Sequence, residues 1–107
     1  MTISTHVLDT TLGRPAVGVA VRLEAVDGTL LDEARTDADG RVADLAGADP
    51  QPAAYRLRFD TGGYFAATGR EGFYPEVVVA FRIAEPQQHY HVPLLLSPFA
   101  YSTYRGS

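Results

Sequence analysis

Val17-Gly18-Val19-Ala20-Val21-Arg22-Leu23-Glu24-Ala25 decides the fold class of this chain. In extended backbone successive side chains point to opposite faces. Val17, Val19, Val21, Leu23 and Ala25 therefore share one apolar face, with Gly18, Ala20, Arg22 and Glu24 on the other. That pattern predicts a half-buried strand. Asp27-Gly28 follows as a two-residue hairpin signal, and Thr29 to Thr36 returns as its partner. Asp37-Ala38-Asp39-Gly40 reads as a turn, with Gly40 supplying a positive φ where the next strand starts at Arg41. Ala46 to Pro52 reads as loop. Tyr55, Leu57 and Phe59 alternate with Arg56, Arg58 and Asp60; Val77, Val79, Phe81 and Ile83 form another strand. His89 to Leu96 is a further strand that turns at Ser97-Pro98. Thr61 to Thr68 fits one short helix, with Asp60 or Thr61 as N-cap, although Gly62, Gly63 and Gly69 weaken it. Seven to eight short strands with so little helix predict an all-β, two-sheet β-sandwich.

With 107 residues, 46% hydrophobic and only 21% charged, residues 1–107 are expected to form a single folded domain. The net charge of −4 gives no footprint for nucleic acid or an acidic membrane surface. All nine basic residues are arginine, which excludes a Schiff-base lysine and a P-loop lysine. Cysteine is absent, so thiol catalysis, disulfides and thiolate-bound metals are excluded. No signal peptide or membrane-spanning apolar run is visible, and a cytoplasmic location is expected.

Three imidazoles carry the candidate chemistry. His89 and His91 point to one strand face, their Cα atoms roughly 7 Å apart, and His6 lies in His6-Val7-Leu8-Asp9. Three histidines fit a zinc site with an open position, or an acid–base pair whose pKa values push each other apart. Surface or structural histidines are the ordinary alternative for so short a pattern. Arg41 could hold a planar or anionic ligand bidentately, or simply pair with Asp39 or Asp37. The Asp37-x-Asp39-Gly40 run fails as a calcium loop, because Arg35 and Ala46 stand where ligands are required. Tyr64, Tyr74, Tyr90, Tyr101 and Tyr104 read as packing or subunit contacts. Tyr104-Arg105-Gly106-Ser107 gathers a phenol, a guanidinium and a hydroxyl within sixteen residues of the imidazole pair, which looks more like a site than a tail. Ser107 has no Gly-x-Ser-x-Gly elbow, so an acyl-enzyme serine is not expected.

These pieces together resemble the 5-hydroxyisourate hydrolases, the transthyretin-related enzymes of urate breakdown. The resemblance is carried by Thr5-His6-Val7-Leu8-Asp9-Thr10-Thr11-Leu12-Gly13-Arg14-Pro15-Ala16, by Thr36-Asp37-Ala38-Asp39-Gly40-Arg41-Val42, and by His89-Tyr90-His91-Val92-Pro93 through Leu96-Ser97-Pro98 to Tyr104-Arg105-Gly106-Ser107. It implies a transthyretin-like sandwich, assembled as a homotetramer (a dimer of dimers) with active sites in a channel between dimers. It implies conversion of the small-molecule substrate 5-hydroxyisourate to 2-oxo-4-hydroxy-4-carboxy-5-ureidoimidazoline, without a metal or organic cofactor. The catalytic residues carried over are His6, Arg41, His91 and Ser107. Those carried over to substrate binding are His6, Arg41, Tyr104, Arg105 and Gly106. His89 is not among the family's core catalytic positions and keeps its structural reading. The alternative is a transthyretin-like small-ligand-binding protein with the same fold and no turnover.

Overall fold

The computed structural model describes residues 2–45 and 51–107. Nine strands and one helix follow in chain order: β1 (Thr2–Asp9), β2 (Arg14–Pro15), β3 (Ala20–Ala25), β4 (Leu30–Arg35), β5 (Arg41–Val42), β6 (Ala53–Phe59), α1 (Thr61–Ala67), β7 (Val77–Ile83), β8 (His89–Ser97) and β9 (Ala100–Thr103). Seven of these strands have four or more residues, while β2 and β5 are two-residue pairings. They form two sheets. One runs β2-β1-β8-β9 with β5 also paired to β1; the other runs β4-β3-β6-β7. The core lies between them, where Ile3, Val7, Val21, Leu23, Leu57, Phe59, Leu94 and Leu96 are buried.

The period-two reading holds in β6, where Tyr55, Leu57 and Phe59 are buried. In β3 it holds for Val21 and Leu23 but not for Val17, which is 53% exposed. Gly18, at φ 79°, turns the chain before the strand begins at Ala20. The Asp27-Gly28 hairpin is also longer than expected. Its loop has three residues, Val26 to Gly28, with Gly28 N–H donating to Ala25 O at 3.0 Å and Ala25 N–H to Thr29 O at 3.0 Å. Gly28 sits at φ 90°, the geometry of a three-residue loop with a left-handed last position. The helix starts where Asp60 caps it, accepting from Gly63 N–H at 3.0 Å. It buries Tyr64 and Phe65 against the sandwich. Most of the predicted Ala46–Pro52 loop lies outside the described residues. Among those described, no helix is long and apolar enough to cross a membrane.

Two features build the sheet that contains β1 and β8. First, β1 and β8 run parallel over their full length, with Ser4 beside His91 and His6 beside Pro93. Second, the Asp37–Gly40 turn delivers β5 to the other edge of β1. Asp37 Oδ1 accepts the N–H groups of Asp39 and Arg41, each at 2.9 Å. Gly40 sits at φ 74°, and a Cβ there would lie 2.5 Å from Val7 O. Only glycine allows this approach, and Gly40 O then accepts Val7 N–H at 2.8 Å. Arg41 is thereby placed directly opposite His6.

Candidate active site

Alternation along β1 sends Ile3, Thr5, Val7 and Asp9 into the core and Ser4 and His6 to the outer face of the sheet. The neighbours of Ser4 and His6 in register share that face. Arg41 stands across from His6 on β5, with Cβ atoms about 5 Å apart in such a pair. His91 stands across from Ser4 on β8, one diagonal step of about 8 Å from His6. His89 lies two residues earlier on the same face, and its ring stacks with that of His91 at 6.2 Å and 16°. Four side chains able to carry positive charge therefore gather on one patch.

Ser4 is the residue that sequence reasoning missed. It is only 7% exposed, and its Oγ lies 2.7 Å from His91 Nδ1 and 3.0 Å from His89 Nε2. The contact fixes the His91 ring and leaves Nε2 as the nitrogen available to a ligand. A signal was present in the sequence: Ser4 is two residues before His6 and so shares its strand face.

The chain end meets the same ring. The β8–β9 pairing, Leu94 with Thr103 to Ser97 with Ala100, continues in step to an isolated bridge between His91 and Gly106. Gly106 N–H donates to His91 O at 2.8 Å. A Cβ on Gly106 would lie 2.4 Å from His91 Cδ2, so the bare backbone rests against the imidazole edge. The alternation separates the rest of the tetrapeptide. Tyr104 is exposed. Arg105 turns to the opposite side, 4.7 Å over the Tyr90 ring and 3.1 Å from Gln88 Oε1. Ser107 is exposed, and among the described residues the hydroxyl bonded to His91 belongs to Ser4.

Burial holds the His91 pKa below the ordinary imidazole value, and the nearby charges of Arg41, His89 and His6 add to this. His91 is thus neutral at neutral pH and able to accept a proton. Arg41 takes part in none of the ion pairs among the described residues, which leaves its guanidinium for a ligand. Asp37, the carboxylate acting on Arg41 and His6, is engaged by the turn's N–H groups, which with those charges hold its pKa low. No three His, Cys, Asp or Glu side chains among the described residues are arranged to hold a metal ion. Two clefts form among the described residues. One, of about 700 Å³, sits over the other sheet beside Arg22, Arg35, Arg58 and Glu76. The other, of about 280 Å³, runs between β7 and the chain end, touching Phe81, Tyr90, His91, Tyr104 and Arg105. On the imidazole–arginine patch Arg41 and His89 are exposed, whereas His6 and His91 are half-buried.

Residues 3–106 match the HIUase/Transthyretin family, and the chain belongs to that family. It is 47% identical to a 5-hydroxyisourate hydrolase of Caulobacter vibrioides, over 98% of this chain and 97% of the relative. Identity to the 5-hydroxyisourate hydrolase of Mus musculus is 44%, over 98% of this chain and 94% of that protein. Among solved structures, the Klebsiella pneumoniae 5-hydroxyisourate hydrolase superposes with a TM-score of 0.88 at 42% identity, covering 100% of both chains. Sea bream transthyretin in complex with thyroxine superposes with a TM-score of 0.86 at 34% identity, over 99% of this chain and 95% of that one. The two-sheet sandwich is therefore transthyretin-like, as the sequence implied.

Proposed function

We propose that this chain hydrolyses 5-hydroxyisourate to 2-oxo-4-hydroxy-4-carboxy-5-ureidoimidazoline in urate degradation, by metal-free general acid–base catalysis on the outer face of the β1–β8 sheet. The observation that carries the reading is that His6, Arg41 and His91 share one face, in a chain 47% identical to a 5-hydroxyisourate hydrolase.

The substrate is a flat, polar bicycle with several carbonyls, and opening its ring requires an activated water and a stabilised oxyanion. His91 Nε2 takes a proton as the water oxygen adds to the carbonyl carbon. The negative charge that develops on the carbonyl oxygen is held by the Arg41 guanidinium. The carbon–nitrogen bond then breaks, and the His6/His91 pair returns a proton to the departing nitrogen. Tyr104 and Gly106 border the substrate, Ser4 holds the imidazole of His91, and the exposed Ser107 supports the water. In the single chain Arg41 and His89 on this face are exposed. A homotetramer in which two dimers place these faces against each other supplies the walls and excludes water.

The test is to generate 5-hydroxyisourate in situ with uricase and follow its ultraviolet decay. The protein is expected to accelerate the decay, undiminished by EDTA, and to elute as a tetramer by light scattering. Ligand binding with no acceleration would select the non-catalytic transthyretin-like reading instead.

A further inference from the structure

Ser4 Oγ touches two imidazoles at once, His91 Nδ1 at 2.7 Å and His89 Nε2 at 3.0 Å. A hydroxyl has one proton to donate and lone pairs to accept. It cannot donate to both rings, so the protonation of one ring is tied to that of the other. The three groups also differ in access to solvent. Ser4 is buried, His91 is half-buried and His89 is exposed.

We propose that Ser4 and His89 are positioning residues for His91: the shared hydroxyl sets which His91 nitrogen carries the proton, and links that ring to the exposed His89. The proposal rests on the hydrolytic reading for its kinetic consequence, but not for the linkage itself.

The proton count closes. Before reaction, His91 Nδ1–H donates to Ser4 Oγ, and Ser4 Oγ–H donates to His89 Nε2. His91 Nε2 then has a free lone pair and acts as a base. When Nε2 takes the water proton, His91 becomes an imidazolium. Its Nδ1 proton passes to Ser4 Oγ as the Ser4 proton passes to His89 Nε2. His91 is now neutral with its proton on Nε2. The positive charge has moved to His89, where water solvates it. As the Nε2 proton goes to the leaving nitrogen the shift runs back, His89 Nε2 returning a proton to Ser4 Oγ and Ser4 Oγ returning one to His91 Nδ1. No imidazolate forms, and the starting state is restored. One reversible shift thus holds the charge on the exposed ring between the two proton transfers.

The surroundings favour that direction. His91 faces Arg41 from β5, His6 from β1 and His89 from β8, with Gly106 backbone at its edge and Asp37 acting on Arg41 and His6. A charge held on the half-buried ring meets three positively charged or chargeable neighbours and little water. Moving it outward to His89 relieves both costs.

The ring-nitrogen shifts of 15N-histidine-labelled full-length protein, followed between about pH 5 and 8, test the linkage without substrate. In the native protein His91 Nδ1 should respond to the titration of His89 as well as its own. Ser4→Ala and His89→Phe should abolish that coupled response, and kcat should fall roughly tenfold with KM within about twofold. Ser4→Thr keeps the hydroxyl and should restore both properties. His89→Phe alters an exposed position and keeps a stacking ring, so it decides the matter should Ser4→Ala fail to fold. His91 shifts that ignore His89 in the native protein, or a native kcat in His89→Phe, would overturn the proposal. Native protein with no turnover but coupled rings would instead sink the hydrolytic reading and leave the linkage standing.

Discussion

Strand β1 carries two polar clusters on opposite faces, and they are built on opposite principles. On the inner face Asp9 is fully buried. It accepts from Tyr64 OH at 2.8 Å, Leu12 N–H at 3.0 Å and Arg70 Nη2 at 2.5 Å. Burial alone would raise its pKa, but these bonds, led by Arg70, hold it below the ordinary carboxylate value. Arg70 is further covered by the Tyr64 and Phe65 rings at 5.6 and 5.1 Å. Opposite charges and donors are matched, and α1 is tied to β1. On the outer face Ser4, His6, Arg41, His89 and His91 gather groups of one sign, and burial with that company lowers the His91 pKa. The inner cluster satisfies itself; in the outer one Arg41 takes part in none of the ion pairs among the described residues. The inner cluster closes its own charge balance and supports the fold, and the proposed function places the chemistry on the outer one.

The largest effect should come from breaking the closed cluster. Arg70→Met leaves a buried carboxylate without its cation and is expected to cost about 3 kcal/mol or more, lowering the thermal midpoint by roughly 10 °C or more. The kcat/KM of the folded protein should stay close to native. Differential scanning calorimetry beside an activity assay checks both halves. Because the Asp9 pKa is depressed by folding, its contribution is present above the ordinary carboxylate range and is lost as pH falls through and below about 4.

Breaking the open cluster should do the reverse. His6→Asn and His91→Asn should each reduce kcat/KM by about 10² or more, with the thermal midpoint little changed. The double variant should fall only slightly below the worse single one, since groups that act together are not additive. A smaller loss is expected from Gly106→Ala, whose Cβ would push against the His91 ring. Displacing that ring by a fraction of an ångström should cost roughly tenfold in kcat/KM. An alanine variant of native activity would show that the chain end merely passes the site.

Much of the scaffold was legible because it depends on neighbours along the chain. The alternation through Tyr55, Leu57 and Phe59, the Asp60 cap and the positive φ of Gly40 are local, and each stands as expected. The two-residue strands β2 and β5 carry no period, and Val17 lost its place to the turn at Gly18. The site divided in the same way. That His89 and His91 share a face follows from a spacing of two. That Ser4 lies under both of them follows from the parallel β1–β8 register, which joins residues 85 and 87 positions apart. Arg105 was grouped with the site by its position in the tetrapeptide, whereas alternation in the continued β9 register turns it to Tyr90. Residue identity was readable in these cases; cross-strand register was not.

The pH profile of kcat/KM for 5-hydroxyisourate, in native protein and in Arg41→Gln, tests the account most directly. In the proposed mechanism neutral His91 is the base, and its pKa lies below the ordinary imidazole value, first through burial and then through Arg41 and the other histidines. The native acid limb should therefore fall below about pH 6.5. Removing the Arg41 charge takes away one of the lowering influences, so the limb should move to higher pH while the plateau drops. An acid limb that stays in place when Arg41 is neutralised, or a native rate no faster than the uncatalysed decay, would contradict the claim that the outer face of β1 is where the chemistry happens.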